Sequence, residues 1–446
     1  MQCDEKSYLN FDIMMRLRGR LVGLFDLVYH LPYFHSLNWS AYSTSCILGI
    51  ETSCDDTCAA IIDNSGNLKA EEVISQTCLS TMLGGVLPTV ARERHEQTIH
   101  SVVSSVLNKC RSWRDIDAIA VTVKPGMPLS LKVGVAYAKE LAKNYNKPII
   151  PIHHMEAHAL ISMFTHPNLQ FPFLALLVSG GHGLLALVRD LEDFLLLGTS
   201  LDAPPGDVLD KLARRLKLFR LGDPRLKAAS GGRAIELLAS DLTAAHPLFT
   251  ITHPRSQDRD CDFSFSGIHL AAEHTIELLE RDVSPSSDPH ISSGLSLECT
   301  IGLCASIQYT MTQVICRRVQ RAFEFLRLQT SSIFPWPNAL IVSGGVAANS
   351  FIRNGLAEVS AHYHVPLLAP PERLCTDNGV MIAWNGLLLR RAGSRIFTDP
   401  SLVDFVPNAS FGVDCRAMVR EADIKIRPIK LSHSPINRTI TALTGA

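Results

Sequence analysis

Two stretches of the chain show the same order of apolar and polar residues. Residues 46–63 read as an apolar strand, a small polar loop and a second strand, and residues 171–190 repeat this order. The first loop has the sequence TSCDDT and the second SGGHG. This duplication predicts two similar lobes whose loops face each other across a cleft. A chance recurrence of two hairpins would give the same pattern, so the pattern alone leaves both explanations open.

Strands and helices alternate over the rest of the chain, which predicts an α/β fold. In residues 338–360 a Gly-Gly turn joins an apolar strand to a helix, an order typical of anion and nucleotide sites because the helix N-terminus points at the ligand. Residues 282–296 are rich in Ser and Pro and predict a loop. The other predicted elements are helices at 84–110 and 299–328, strands at 115–121, 146–154 and 365–371, and a short strand, turn and helix within 261–280.

The stretch PIHHMEAHAL, residues 151–160, carries the clearest candidate chemistry. His154 and His158 are four residues apart, so on a helix they lie on one face and can bind one metal ion. Glu156 would point away from that face, whereas the glutamate of the HExxH protease motif follows the first histidine directly. A metal site needs a third ligand, and Asp377 is the best candidate. Taken alone, a histidine pair on a helix is more often a surface or packing feature.

The composition is that of a core-rich globular protein with two domains or lobes. The chain has 446 residues, 46% hydrophobic and 19% charged, with a formal net charge of −1. RNA binding would therefore require a local patch, and the basic residues of 205–240 offer one, although they can equally form a solvated helix face. The twelve cysteines are scattered without a CxxC pair, as in proteins of reducing compartments. No long apolar run predicts a membrane span.

Residues 1–45 differ in composition from the rest of the chain. From Met15 they contain several arginines, one acid (Asp26) and a hydroxyl-rich end, features typical of a mitochondrial transit peptide. The acids before Met14 are atypical of such peptides, so translation from Met14 or Met15 is a further hypothesis. An amphipathic or disordered arm is the alternative.

Seven motifs together resemble one known family. Between residues 47 and 390 they read, in order, ILGIETSCDDT, HHMEAH, LLVSGGHGLL, GDVLDKLARRL, FSFSGI, IVSGGVAANS and CTDNGVMIAWNG. This series resembles the universal tRNA N6-threonylcarbamoyladenosine transferases, in particular their mitochondrial branch. The resemblance implies a two-lobed actin-like fold with duplicated ribonuclease H-like sheets and a cleft between the lobes. We expect a first lobe at 46–168, a second lobe at 169–370, a return to the first lobe at 371–410 that completes the metal site, and a C-terminal tail at 411–446.

The resemblance also implies an activity. The enzyme would transfer a threonylcarbamoyl group from threonylcarbamoyl-AMP to N6 of adenosine 37 in ANN-decoding tRNAs and release AMP. A separate synthase would supply the donor, the compartment would be the mitochondrial matrix, and a homodimer is expected. Each subunit would hold one divalent ion, zinc or iron. Carried over residue by residue, the metal ligands are His154, His158 and Asp377, the substrate contacts are Leu177, Val178, Ser179, Gly180, Gly181, Asp210, Gly232 and Asn349, and the candidate acceptor of the N6 proton is Asp55.

Two other functions are compatible with parts of the pattern. A metalloprotease would use the histidine pair, but the order HxExH places no acid directly after the first histidine. An ATPase or sugar kinase could share the fold. Kinases of that fold bind Mg²⁺ mainly through nucleotide phosphates and carboxylates, so a His-His-Asp site argues against this alternative.

Overall fold

The computed structural model describes residues 45–110, 113–227, 229–242, 249–253, 255–281 and 295–431. Residues 1–44 of the predicted transit peptide, most of the predicted loop at 282–296, and residues 432–446 lie outside these ranges. Among the helices of the described ranges, none combines the length and the apolar character that crossing a membrane requires.

The strands form two sheets. In chain order they are β1 (Cys46–Glu51), β2 (Thr57–Asp63), β3 (Leu68–Ile74), β4 (Ile116–Lys124), β5 (Ile149–His153), β6 (Phe173–Val178), β7 (Gly183–Asp190), β8 (Asp193–Thr199), β9 (Leu340–Ser343), β10 (Leu367–Leu368) and β11 (Val413–Asp414). The first sheet has the order β3-β2-β1-β4-β5, and the second has the order β10-β9-β6-β7-β8-β11.

The second sheet repeats the first. In each, three antiparallel strands come first (β1 to β3, β6 to β8), and two parallel strands follow on the other side (β4 and β5, β9 and β10). β6 to β10 therefore occupy the positions and directions of β1 to β5. Two ribonuclease H-like sheets of one strand order in a single chain define the two-lobed actin-like fold. The duplication predicted from the two hairpins is confirmed.

Helices cover both sheets. They are α1 (Thr77–Leu83), α2 (Pro88–Asn108), α3 (Pro128–Tyr145), α4 (His154–Thr165), α5 (Pro205–Arg215), α6 (Gly231–Ala239), α7 (Ser266–Arg281), α8 (Leu297–Leu328), α9 (Ser350–His362), α10 (Glu372–Cys375), α11 (Gly379–Arg391) and α12 (Arg416–Glu421). α2 and α3 share one apolar cluster with the first sheet, and α11 shares another. Helices α5 to α9 form the core of the second lobe with its sheet.

Helix α4 lies between the two sheets. Ala157 and Ile161 join the apolar cluster of the first sheet and α11, while Met155 and Leu160 join a cluster formed by the second sheet. All residues from His154 to Ser162 are buried. A helix buried on every side normally carries apolar residues throughout, so the polar side chains of α4 need partners.

The segment after α11 connects the two sheets. The Val406 N–H donates to the Val123 carbonyl of β4 at 2.8 Å, and the Cys415 N–H donates to the Leu196 carbonyl of β8 at 2.9 Å. β11 lies directly before the second of these contacts and pairs in parallel with β8. The sequence shows little pattern here, and this connection was not expected from it.

Three local expectations from the sequence differ from the structure. The predicted strand at 365–371 pairs only at Leu367–Leu368, because the prolines around these residues cannot donate ladder hydrogen bonds. The short strand predicted within 261–280 is a single bridge between Phe263 and Ser200. β3 was not predicted, because two glutamates interrupt its apolar alternation at the partly exposed edge of the sheet.

Candidate active site

The three side chains predicted as metal ligands meet at one point. His154 and His158 from α4 and Asp377 from the turn between α10 and α11 hold their ligand atoms within 4.8 Å of one another. Nε2 of His158 lies 3.2 Å from Nε2 of His154 and 3.1 Å from Oδ1 of Asp377. Nε2 of His154 lies 3.5 Å from the same oxygen. Both imidazoles are buried, and the carboxylate is partly exposed. The fold thus assembles this set from residues far apart in the chain.

The start of α4 is fixed by the histidine that precedes it. Nδ1 of His153, the last residue of β5, accepts the N–H of Met155 at 3.2 Å and so caps the helix. Nε2 of the same ring donates to the carbonyl of Ser410 at 3.2 Å. Burial lowers the pKa of His153 to about 3, so the ring stays neutral and can both accept and donate. His154 follows directly as the first helical residue, which sets its direction.

A buried acid that the sequence interpretation missed holds His154. Oε2 of Glu51, the last residue of β1, lies 3.1 Å from Nδ1 of His154 and accepts the hydroxyl of Thr122 at 2.6 Å. The other carboxylate oxygen accepts the N–H of Ser53, whose hydroxyl lies 3.0 Å from the same ring nitrogen. Because a carboxylate only accepts, Nδ1 carries a proton and donates. An acid at the end of an otherwise apolar strand was the one signal for this residue.

The cluster favours positive charge at its centre. Burial alone would lower the pKa of His154, but the carboxylates of Asp377 and Glu51 raise it to about 9. Burial, together with the charge of His154, lowers the pKa of His158. Burial would raise the pKa of Asp377, yet His154 and His158 hold it well below its usual range. The buried carboxylate of Glu51 and the partly exposed carboxylate of Asp377 around two imidazoles therefore create a site that accommodates a cation.

The donor set fits a divalent metal ion. Ligands about 2.0–2.1 Å from a tetrahedral zinc ion lie about 3.3 Å from one another, which matches the separations of 3.1 Å and 3.5 Å in the cluster. Nδ1 of His158 is buried and has no hydrogen-bond partner among the described residues, so no second group holds the back of this ring as Glu51 holds that of His154. Two imidazoles and one carboxylate suit zinc or iron.

Glu156 points away from the cluster, as the sequence predicted. Its carboxylate pairs with the guanidinium of Arg395 at 2.7 Å, and Arg395 also pairs with Glu192 at 2.5 Å. This buried ion pair ties α4 to the segment after α11 and to the β7–β8 turn. Glu156 thus holds α4 against its neighbours through Arg395, and its carboxylate lies away from the three candidate metal ligands.

The loop between β6 and β7 faces the cluster from the second lobe. The hydroxyl of Ser179 accepts the N–H groups of Gly181 and His182 at 3.2 Å and 3.1 Å. The centre of the His182 ring lies 6.0 Å from that of His154, and burial lowers the pKa of His182 to about 4. A Cβ added at Gly180 or Gly181 would meet no atom within 4 Å. The glycines therefore leave bare backbone beside the metal ligands, where an anion can approach.

Other predicted substrate contacts occupy different environments. Ser179, Gly180, Gly181 and Asp210 line the cleft. Leu177 and Val178 are fully buried within β6. Oδ1 of Asp210 accepts the N–H of Gly232 at 3.2 Å and so links α5 to the start of α6, and burial raises the pKa of this carboxyl. The structure therefore brings four of these residues to the cleft and leaves two of them in the core.

Asn349 is an N-cap in the structure. Its Oδ1 accepts the N–H of Ile352 at 3.1 Å at the start of α9, and its Nδ2 donates to Gln308 of α8 at 2.9 Å. The side chain is buried and does not line the cleft. Both ends of its amide are thus committed within the second lobe.

Two acids lie on the loop between β1 and β2. Oδ2 of Asp55 accepts the hydroxyl of Ser80 from α1 at 2.9 Å. The neighbouring Asp56 accepts the N–H of Gln76 at 3.3 Å, and burial raises the pKa of its carboxyl to about 7. Both acids line the cleft. The sequence singled out Asp55, and the environment of Asp56 could not be foreseen because its partners, Ser75 and Gln76, come from the segment after β3.

Half of the basic residues of 205–233 are already paired with acids. Lys211 pairs with Asp207, Arg215 with Glu273 and Glu280, Arg225 with Asp223 and Asp241, and Arg233 with Glu236. Arg214 lines the cleft instead. The positive patch predicted from the sequence is therefore weaker in the fold, because acids nearby in the sequence and two glutamates of α7 pair with its basic side chains.

The two loops line one cleft of about 1240 Å³ together with His154 and Asp377. One wall carries Asp55, His154 and Asp377, the other carries Ser179 to His182 and Asp210, and residues 407–412 line a third side. Fold and site together define a two-lobed protein of the actin-like class with a candidate metal centre and an anion-accepting loop in its cleft.

Comparison with known proteins narrows this class. The family model described as TsaD, tRNA N6-adenosine threonylcarbamoyltransferase, matches residues 67–384. A mouse protein named tRNA N6-adenosine threonylcarbamoyltransferase, mitochondrial, is 44% identical over 86% of this chain and 91% of its own. Proteins of the same name from human and Danio rerio are 43% and 41% identical, over 86% and 88% of this chain and 90% and 96% of their own. The chain belongs to the tRNA N6-adenosine threonylcarbamoyltransferase family and is a transferase of tRNA processing.

Proposed function

We propose that this protein transfers the threonylcarbamoyl group of threonylcarbamoyl-AMP to N6 of adenosine 37 in ANN-decoding mitochondrial tRNAs. The observation that carries the proposal is the meeting of His154, His158 and Asp377 with the Ser179–His182 loop in one cleft. A metal cluster and a bare backbone loop on opposite walls suit a donor that contains both a carbamoyl oxygen and a phosphate.

The reaction joins a weak nucleophile to an activated donor. The N6 nitrogen attacks the carbamoyl carbon, the bond from this carbon to the phosphate oxygen breaks, and AMP leaves with the electron pair. The N6 nitrogen loses a proton in the same process. Positioning and stabilisation of negative charge therefore matter more than a covalent intermediate.

Each wall of the cleft would have a different task. Backbone N–H groups of Ser179 to Gly181 would bind the donor phosphate, and Asp210 at the far end would bind the ribose hydroxyls. Leu177, Val178, Gly232 and Asn349 would support these contacts through the backbone and packing of the second lobe. His154, His158 and Asp377 would hold one zinc or iron ion, which when bound acts as a Lewis acid for the donor oxygens.

Asp55 is our candidate for the proton acceptor. It lies in the same cleft as the cluster, and the Ser80 hydroxyl orients its carboxylate. The adjacent Asp56 is a second acid that the site offers for this role, since its raised pKa near 7 suits proton transfer at neutral pH. Replacing each with Asn would separate their contributions.

Partners and compartment follow from the same proposal. The donor would come from a separate synthase, since the cleft described here is assigned to transfer alone. The relatives compared above are named mitochondrial, which supports a mitochondrial location, and we propose the matrix with residues 1–45 as transit peptide. We also propose a homodimer. We further propose lobe boundaries near residues 168 and 370 and a return to the first lobe at 371–410, a division supported by the sheet that each segment joins.

A metalloprotease is disfavoured by the position of Glu156. This acid pairs with Arg395 and lies away from the cluster, so it cannot activate a metal-bound water as the HExxH glutamate does. Glu51, a second buried acid beside the candidate ligands, is hydrogen-bonded to the back of His154. An ATPase or sugar kinase has no specific observation in its favour.

Reconstitution tests the proposal. The purified full chain would be mixed with threonylcarbamoyl-AMP from a synthase reaction and an unmodified ANN-decoding tRNA, and the digested RNA analysed by mass spectrometry. Threonylcarbamoyladenosine at position 37 that disappears in His154→Ala is the expected result. Peptide cleavage or sugar phosphorylation without RNA modification, by a folded and metal-loaded protein, would contradict it.

A further inference from the structure

We propose that Glu51 is a positioning residue that sets the orientation and protonation of His154 for metal binding. The inference rests on the proposed metal site but concerns a residue outside the three ligands. Its carboxylate contacts the back of the His154 ring, 3.1 Å from Nδ1, while the opposite nitrogen, Nε2, faces His158 and Asp377.

The hydrogen bonds of Glu51 leave one arrangement for His154. One carboxylate oxygen accepts from Nδ1 of His154 and from the hydroxyl of Thr122 at 2.6 Å, and the other accepts the backbone N–H of Ser53. All three contacts need an acceptor, which an ionised carboxylate supplies. With its proton on Nδ1, the imidazole keeps the lone pair of Nε2 free for a metal.

The duplicated fold shows that the sheet itself does not need an acid here. Glu51 ends β1, and the residue that ends the equivalent strand β6 is Val178. Both are fully buried. Val178 packs with apolar neighbours of the second sheet, which is the ordinary way to end a buried strand. The first lobe instead carries a carboxylate, whose burial is costly unless it is paired.

No lysine or arginine among the described residues forms an ion pair with Glu51. Its partner from the second half of the site is the ring of His154, 103 residues further along the chain. A buried acid that served only to join β1 to β4 would be satisfied by Thr122 and Ser53. The additional contact with a ligand ring is what distinguishes a positioning role from a purely structural one.

Metal affinity of the full chain is the measurement that tests this role. Native protein, Glu51→Gln and Glu51→Leu would be stripped of metal and titrated with Zn²⁺ against a chromophoric chelator. The glutamine keeps an oxygen that can accept from Nδ1, whereas leucine approximates the Val178 environment. Glu236→Gln is the matched control, because Glu236 is a buried acid that binds Ser350 in the second lobe, away from the cluster.

We expect Glu51→Leu to weaken zinc binding about 100-fold and Glu51→Gln about 10-fold or less, as other outer-shell partners of metal ligands do. Glu236→Gln should bind as native protein does. The visible spectrum of the Co²⁺-loaded protein should shift in Glu51→Leu, which loss of stability alone would not produce. Thermal unfolding of the metal-free forms identifies any variant that is not folded.

Two results would overturn the inference in different ways. If folded Glu51→Leu binds Zn²⁺ as tightly as native protein with an unchanged Co²⁺ spectrum, Glu51 has only a structural role. If native protein itself binds neither ion, the proposed metal site fails together with the inference. Neither readout uses transferase activity, so failure of the proposed reaction remains a separate result.

Discussion

The two loops that occupy equivalent places in the duplicated sheets have opposite chemistry. The loop between β1 and β2, residues 52–56, carries two acids and follows a buried glutamate, and it contacts the metal cluster through side chains. The loop between β6 and β7, residues 179–182, follows a valine and presents glycine backbone. One fold repeated twice thus carries an acidic wall beside the candidate metal ligands and a bare glycine wall in the same cleft. We propose that this difference between the lobes makes a transfer site from a symmetric plan.

Removing a candidate metal ligand should reduce the transferase activity most. Asp377→Ala should lower kcat by about 1000-fold, since a Lewis-acid metal contributes several kcal/mol to the transition state. Turnover of native and variant protein with donor and tRNA measures this. Asp117→Asn is the control, because Asp117 is also partly exposed but pairs with Arg390 outside the cluster. If Asp377→Ala were fully active, the acidic wall would have no part in the transfer.

A side chain added to the glycine loop at residues 179–182 should impair donor binding without lowering the stability of the fold. A Cβ added at Gly181 would meet no atom within 4 Å, so we expect Gly181→Val to keep the thermal stability of the native protein. The same side chain would block the phosphate, and the KM for threonylcarbamoyl-AMP should rise about 10- to 100-fold, or about 1.4 to 2.7 kcal/mol. Steady-state kinetics and thermal unfolding measure the two effects.

Gly344 in the same lobe provides the contrasting control. Its φ is +100°, and an added Cβ would collide with the backbone of Val178, so Gly344→Ala should lower stability directly. Equal loss of stability in Gly181→Val and Gly344→Ala would mean that the glycines of the loop serve packing and not ligand approach.

Asp56 of the acidic wall should make the free energy of unfolding depend on pH. Burial raises the pKa of Asp56 from 3.8 to about 7 in the folded protein. Between these values the folded state binds more protons than the unfolded state, so stability should fall as pH rises from about 4 to about 7 and then level off. Asp56→Asn should flatten this decline. Chemical denaturation at a series of pH values checks it, and an unchanged slope in the variant would show that Asp56 is solvated.

The smallest effect concerns the orientation of Asp55. Ser80→Ala removes the hydroxyl that donates to its carboxylate, and we expect kcat to fall about 3- to 10-fold, consistent with about 1 kcal/mol for one hydrogen bond. Ser101→Ala on α2 is the control, because its hydroxyl bonds only within its own helix. An unchanged kcat in Ser80→Ala would argue that Asp55 does not depend on this contact.

Much of this site was predictable because its signals are local. The two hairpin loops, the i, i+4 spacing of His154 and His158, and the outward direction of Glu156 all follow from strand and helix periodicity. Asp377 could be proposed from its place before a helix, and the resemblance of seven motifs supplied the reaction.

What the sequence could not reveal depends on contacts between distant segments. In the sequence Glu51 is only the last residue of a predicted strand. Its contact with His154 forms in the fold, where β5 and α4 bring that histidine beside it. The sequence predicts a ligand contact at Asn349, and it could not predict that the side-chain amide donates to Gln308 of α8. Arg215 of the basic patch at 205–240 cannot be recognised as paired until α7 brings Glu273 and Glu280 beside it. The link formed by residues 406–415 has no periodicity, because its hydrogen bonds go to two different sheets.

The central claim is that one metal ion held by the acidic wall and one donor held by the glycine wall produce the transfer together. It is tested most directly by stripping the full chain of metal and adding zinc or iron in small steps while measuring threonylcarbamoyladenosine formed on tRNA. Our account predicts that turnover rises in proportion to added metal and saturates at one ion per subunit. Full turnover by the metal-free protein would contradict it.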